Sequence, residues 1–210
     1  MITPGEKRLF DFIQEELRKR IDLRDRLKKI ETIGGADISF RGEEAQVCIC
    51  VLDFRSLRLI ERKNYRVCIK FPYIPGYLSF REGPAILEGI FNLRTSCDCF
   101  IFDGNGILHP KNLGLATFLG IILRKPTIGC AKSLLLGEYK SPGKIRGNFS
   151  YIKYKKKILG AAVRTKSQVR EVYVSCGWGI SLKRAIEVVL ATSKYRIPEP
   201  LRLAHIYSKF

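Results

Sequence analysis

The stretch "CDCFIFDGNG", Cys97 to Gly106, decides the fold. Its middle, Cys99 to Phe102, is a short and wholly apolar run, as expected of a strand covered on both faces at the centre of a sheet. An acid, Asp103, and a Gly-Asn-Gly turn follow at once. A carboxylate placed after four apolar residues is expensive to bury unless it is paired or metal-bound. In an open α/β sheet, ligands collect at the carboxyl ends of the parallel strands. Asp103 therefore stands at an expected site mouth.

Outward from this strand, the pattern alternates. Pro84 to Leu93 predicts a helix with proline in its first turn. "NLGLATFLGIILRK" predicts a second apolar helix, and "PTIGCAKS" another buried strand with its loop. Upstream, residues 5–30 carry Leu9, Phe10, Ile13, Leu17 and Ile21 at helical spacing. "GGADISF" then breaks that helix and begins a strand at about Ala36. "AQVCICVLDF", "RLIER" and "YRVCIKF" follow as close runs, which suggests an antiparallel meander. Downstream, "GNFSYIKYKKKILGAAVRT" predicts a hairpin with its lysine run as a solvated tip, "EVYVSCGWG" a further strand, and Ser181 to Tyr195 a final helix. The tail "RIPEPLRLAHIYSKF" reads as irregular at first. A meander followed by β-α-β-α makes a mixed α/β sheet. With no repeat or linker in view, residues 1–210 read as one domain.

Charge narrows the partners. Lys plus Arg number 38 against 20 Asp plus Glu, a net charge of +18. A field of that sign favours polyanions. No apolar run reaches membrane-spanning length and the N-terminus lacks a signal-peptide pattern, so a cytoplasmic protein is expected. The seven cysteines sit in Val/Ile/Phe runs with no CxxC pair. They read as small buried hydrophobes in a reducing compartment, not as disulfides or zinc ligands, with Cys48 and Cys50 on one side of a strand and Cys97 and Cys99 likewise.

Acids are scarce, so their positions inform. Asp37 falls at the start of the first strand and Glu82 precedes the first middle helix. With Asp103, they suggest a Mg²⁺ site working on phosphodiesters, the basic surface holding the backbone. Each also has an ordinary reading: Asp103-Gly as a turn, Glu82 as a charge at a helix N-terminus, Asp37 as a turn cap. In "FPYIPGYLSFREG", Phe71 to Gly83, two prolines stiffen a corner around Tyr73, and on the residues alone Tyr73 reads as packed in that proline-rich core corner.

Four blocks taken together, "PYIPGYLSFREGP", "FDGNGILHPKNLGLATFLG", "PTIGCAKS" and "PEPLRLAHIYS", resemble the endonuclease V family, in the family's order and over roughly residues 36 to 208. The resemblance implies a ribonuclease H-like fold: a mixed five-stranded core sheet with helices on both faces. It implies a DNA repair endonuclease that flips deoxyinosine and cuts the second phosphodiester 3′ to it, leaving 3′-hydroxyl and 5′-phosphate. Inosine in RNA is a further implied substrate, and a monomer the implied state. By resemblance Asp37, Glu82 and Asp103 are the catalytic acids holding Mg²⁺, or Mn²⁺ in its place. Lys132 matches an active-site lysine that holds phosphate, His205 a position near the metal, and His109 a site-proximal histidine. Both histidines read, on the residues alone, as structural hydrogen-bonders. Pro72, Tyr73, Ile74 and Pro75 match a wedge whose aromatic fills the gap left by the flipped nucleotide. Gly76, Leu78, Gly104 and Gly106 match main-chain segments of the base pocket, where donors facing O6 would accept hypoxanthine and oppose adenine's amino group. The alternatives are another nuclease of the same fold, such as a junction resolvase or an excision-repair incision domain, and a non-catalytic nucleic-acid binder.

Overall fold

The computed structural model describes residues 2–210. In chain order its elements are α1 (Pro4–Arg18), β1 (Thr32–Arg41), β2 (Glu44–Asp53), β3 (Leu59–Cys68), α2 (Leu78–Phe91), β4 (Cys99–Phe102), α3 (Leu115–Leu123), β5 (Thr127–Ala131), β6 (Phe149–Tyr154), β7 (Lys157–Val163), β8 (Val172–Trp178), α4 (Leu182–Ala191) and α5 (Glu199–Tyr207). All strands join one eight-stranded sheet in the order β3-β2-β1-β4-β5-β8-β7-β6. β1, β2 and β3 form the antiparallel meander, and β4 and β5 run parallel to β1. These five strands are the expected core sheet. The sheet is wider than five because β8 pairs antiparallel with β5 and carries the β6–β7 hairpin with it.

Apolar alternation splits the core into two layers. Val47, Ile49 and Val51 face α2 and α3, while Cys48, Cys50 and Leu52 face the layer holding α4 and α5. β4 is buried on both faces, as its run of apolar residues requires. All seven cysteines are free and six are buried. Cys97 and Cys99 lie in opposite layers, contrary to expectation, because β4 begins only at Cys99 and Cys97 belongs to the preceding loop.

Several boundaries differ from the expected ones. α1 starts with a Thr3–Glu6 capping box and Pro4 in the first turn, but stops at Arg18 instead of running to residue 30. Beyond it Asp22 clamps Arg24 and Arg26, and Asp25 accepts from the Ser181 backbone and hydroxyl, so these acids pin an irregular segment. "RLIER" and "YRVCIKF" are one strand, β3. β1 begins at Thr32, so Asp37 lies in mid-strand. Gly34 and Gly35 belong to it because a β-carbon at Gly35 would meet the Pro200 backbone, where α5 crosses the sheet. α2 begins at Leu78, six residues before Pro84, and continues through that proline with Ala85, Ile86 and Ile90 buried. The tail forms α5, with Pro200 in its first turn. Among the described residues no helix is long and apolar enough to cross a membrane.

Candidate active site

Parallel pairing ends with Ala36 of β1 beside Phe102 of β4, so the residues that follow, Asp37 in the middle of β1 and Asp103 just past β4, stand next to each other where that pairing stops. Glu82 reaches them from the second turn of α2, inside the helix and not at its positive end, which removes the helix-terminus reading. The three acids line one cavity of about 170 Å³ with Ala36, Ile38, Leu78, Ile86 and Leu115. Burial, then the charges of Asp37 and Asp103, push Glu82 up to about 7, with Arg81 opposing.

This donor set suits a hard divalent cation: three carboxylates share one small cavity, one of them driven towards neutrality by burial and then by the charges of the other two. Among the described residues, no three ligating side chains are closed on one point as they stand. Two of the acids are turned onto protein partners. Lys132, just past β5, pairs with Asp103 at 2.5 Å. The buried Ser208 hydroxyl donates to Asp37 Oδ2 at 2.5 Å and bonds the Ser39 hydroxyl at 3.0 Å. His205 Nδ1 lies 3.3 Å from the same Asp37 oxygen. Ser208 and Ser39 went unnoticed in the sequence. The spacing of His205 and Ser208, one helical turn apart, is the signal that pairs them.

A second cavity, about 210 Å³, adjoins the first and shares Leu78 and Leu115 with it. Tyr73, Gly76, Leu78, Gly104 and His109 line it, together with Ser79, Asn105, Leu113, Gly114 and the exposed Leu135. Tyr73 is 68% exposed, not packed in a corner. Pro72 and Ile74 are half-buried and Pro75 exposed behind it, none lining the cavity. The turn closes through Tyr77 N–H onto the Ile74 carbonyl at 3.0 Å and needs glycine at position 76, where φ is +87°. Gly106 lies outside the cavity. Its N–H donates to Ser175 Oγ at 2.8 Å, and its Cα packs on the β8 backbone with no room for a side chain.

Behind this corner stands a polar network that the sequence concealed. Gln14 of α1 is 1% exposed and donates to the Gly76 carbonyl at 2.8 Å. Its Oε1 accepts from Lys111 Nζ at 2.7 Å, and Lys111 also pairs with Asp11, which accepts from the Tyr77 hydroxyl at 2.6 Å. The Lys111 N–H in turn donates to His109 Nδ1 at 3.3 Å. Burial, helped by the Lys111 charge, lowers His109 to about 4, so it faces the cavity neutral. A polar residue four positions after Phe10, on the apolar face of α1, was the available signal.

The family model described as endonuclease V matches residues 15–206. The endonuclease V of Dictyoglomus turgidum is 52% identical over 198 residues, covering 94% of this chain and 87% of its own. The catalytic domain of human endonuclease V superposes with a TM-score of 0.94 at 29% identity, over 99% of this chain and 96% of that one. The endonuclease V of Ciona intestinalis, solved with a 23mer DNA containing an inosine followed by a ribo-adenosine, superposes with a TM-score of 0.90 at 30% identity, over 99% and 97%. With these likenesses the ribonuclease H-like character of the sheet stands.

Proposed function

This chain belongs to the endonuclease V family, and on that premise we propose that it is a divalent-metal-dependent endonuclease of DNA repair. It takes deoxyinosine out of the duplex and hydrolyses the second phosphodiester 3′ to it, leaving 3′-hydroxyl and 5′-phosphate. The observation that carries this reading is the shared wall. Leu78 and Leu115 bound both cavities, so a base lodged under Tyr73 leaves its own strand passing over the three carboxylates.

Asp37, Glu82 and Asp103 would hold Mg²⁺, with Mn²⁺ as a substitute. The ion would supply polarisation of the phosphate and a nucleophile at neutral pH. Ser208 and His205 orient Asp37 for that task. Lys132 brings a positive charge to the phosphate and steadies the charge developing there. Tyr73, projecting from a proline-stiffened turn, fills the space of the extruded nucleotide and offsets part of the unpairing cost. The main chain at Gly76, Leu78 and Gly104 approaches the base closely, and donors set against O6 discriminate hypoxanthine from adenine. Neutral His109 adds a polar ring that carries no charge to attract or repel the base. The proposal places a monomeric enzyme in the cytoplasm, its +18 charge directed at nucleic acid.

The test is a labelled duplex with one inosine, incubated with Mg²⁺ and with chelator, and the cut mapped. One magnesium-dependent nick at the second bond 3′ to inosine is expected. Binding without cutting would leave a passive nucleic-acid module, and cutting only at branched junctions a resolvase. Inosine-containing RNA belongs in the same assay, because the strand bound by the Ciona relative carries a ribonucleotide after its inosine.

A further inference from the structure

One charged surface beside the site has no part in the chemistry above. Tyr195, between α4 and α5, is 52% exposed. Lys166 Nζ lies 5.3 Å and the Arg202 guanidinium carbon 5.2 Å from its ring centroid. Lys194 and Arg170 are exposed nearby in the chain. Arg196 ties the group to the catalytic loop: its guanidinium donates to the carbonyls of Lys132 at 2.8 Å, Glu171 at 3.0 Å and Arg170 at 3.1 Å.

The local acids are already committed. Glu199 is buried and held by Arg202 through two hydrogen bonds, and Glu171 pairs with Arg164 at 2.8 Å. Among the described residues, Lys166, Lys194, Arg170 and Arg196 form no ion pair with a carboxylate, unlike Arg202 and Arg164. The surface borders the site on two sides. Arg196 holds the backbone of Lys132, and Arg202 precedes His205 by one turn of α5. No comparable link joins the site to the other lysine cluster, Lys155 to Lys157. The hairpin register puts Phe149 and Val163 at the end of the sheet where Ala131 and Val172 lie, so its tip is at the opposite end.

We propose that the Tyr195 surface is a second nucleic-acid contact, taking the phosphodiester backbone of the strand where it leaves the cleavage site. The ring holds two cations in place, so less side-chain freedom is lost when phosphate arrives. This rests on the nuclease reading for the direction of the strand, but the contact itself is with DNA of any sequence.

The experiment compares two charge-matched variants of the full chain: Lys166→Gln with Lys194→Gln, and Lys155→Gln with Lys156→Gln. Binding to undamaged duplex is measured across a salt series. The first pair is expected to lower the slope of log affinity against log salt by about 1.8, at about 0.9 per lost phosphate contact. The second pair should leave it unchanged, and neither should move the nick on inosine duplex. Tyr195→Leu should weaken binding about 2- to 5-fold and Tyr195→Phe should restore it. Equal slope changes in both pairs, or none in the first, would overturn the proposal. Failure of the unaltered protein to nick inosine duplex would strike the nuclease reading instead, while the slopes on plain duplex still decide the contact.

Discussion

Lys132 Nζ stands 2.5 Å from Asp103 Oδ2, across the mouths of the parallel strands β4 and β5. The pair is partly exposed, so its worth to stability is small, roughly 1 kcal/mol or less. Its value is position. Lys132→Met should lower single-turnover nicking about 10²- to 10³-fold with the melting temperature nearly unchanged. Asp103→Ala should nearly abolish nicking while duplex binding persists. Full-rate cutting by either variant would remove that residue from the chemistry.

Glu82 and His109 should tilt the stability profile in opposite senses. Glu82 has a folded value of about 7 against 4.5. Its neutral form is the one folding favours, so its cost is absent below pH 4.5 and grows until pH 7, to about 3 kcal/mol. His109 has a folded value of about 4 against 6.5. It costs nothing above pH 6.5, and destabilises by a similar amount as pH falls to 4. In chelator, Glu82→Gln should raise the melting temperature by about 5–10 °C at pH 8 and little at pH 4. His109→Asn should flatten the loss between pH 6.5 and 4. Parallel profiles for all three proteins would contradict both assignments.

Ser208→Ala should free Asp37 to rotate. Manganese affinity, followed by the paramagnetic signal of the free ion, is expected to fall about 10- to 100-fold, and Ser208→Thr should recover most of it. An unaltered titration would reduce Ser208 to a packing residue.

Tyr73→Ala should weaken binding to inosine duplex and spare most binding to plain duplex, since the ring is exposed and adds nothing to the core. An unchanged preference for the lesion would dispose of the wedge.

Gln14→Leu tests whether α1 stiffens that wedge from behind. It strands the Gly76 carbonyl and one Lys111 bond, at a cost of about 1–3 kcal/mol. Lesion preference should fall although Gln14 lines neither cavity. Retained preference in a destabilised protein would make Gln14 a structural residue only.

The elements legible in the sequence were those buried almost throughout. Cys99–Phe102, the apolar α3 and β2 all fell where their apolar runs put them. α2 was misjudged because Pro84 reads as a helix start, yet a helix packed through Ala85, Ile86 and Ile90 tolerates the missing N–H. That error hid the direction of Glu82. The long-range braces were illegible for a different reason. Gln14, Ser39 and Ser208 are ordinary polar residues locally, and only tertiary contact gives them roles: Gln14 bonds a carbonyl 62 positions away. Gly106 misled because glycines on either side of Asn105 look equivalent in sequence, while only Gly104 opens into the cavity.

The bond between Ser208 and Asp37 spans 171 positions of chain. A ribosome adds about 5–20 residues per second, so roughly nine to thirty-four seconds separate the synthesis of the acid from that of its brace. Through that interval a nascent chain can build the meander and β4, but it carries an Asp37 that nothing yet steers. The brace on Asp37 is thus added only after the strands that must support it have been made.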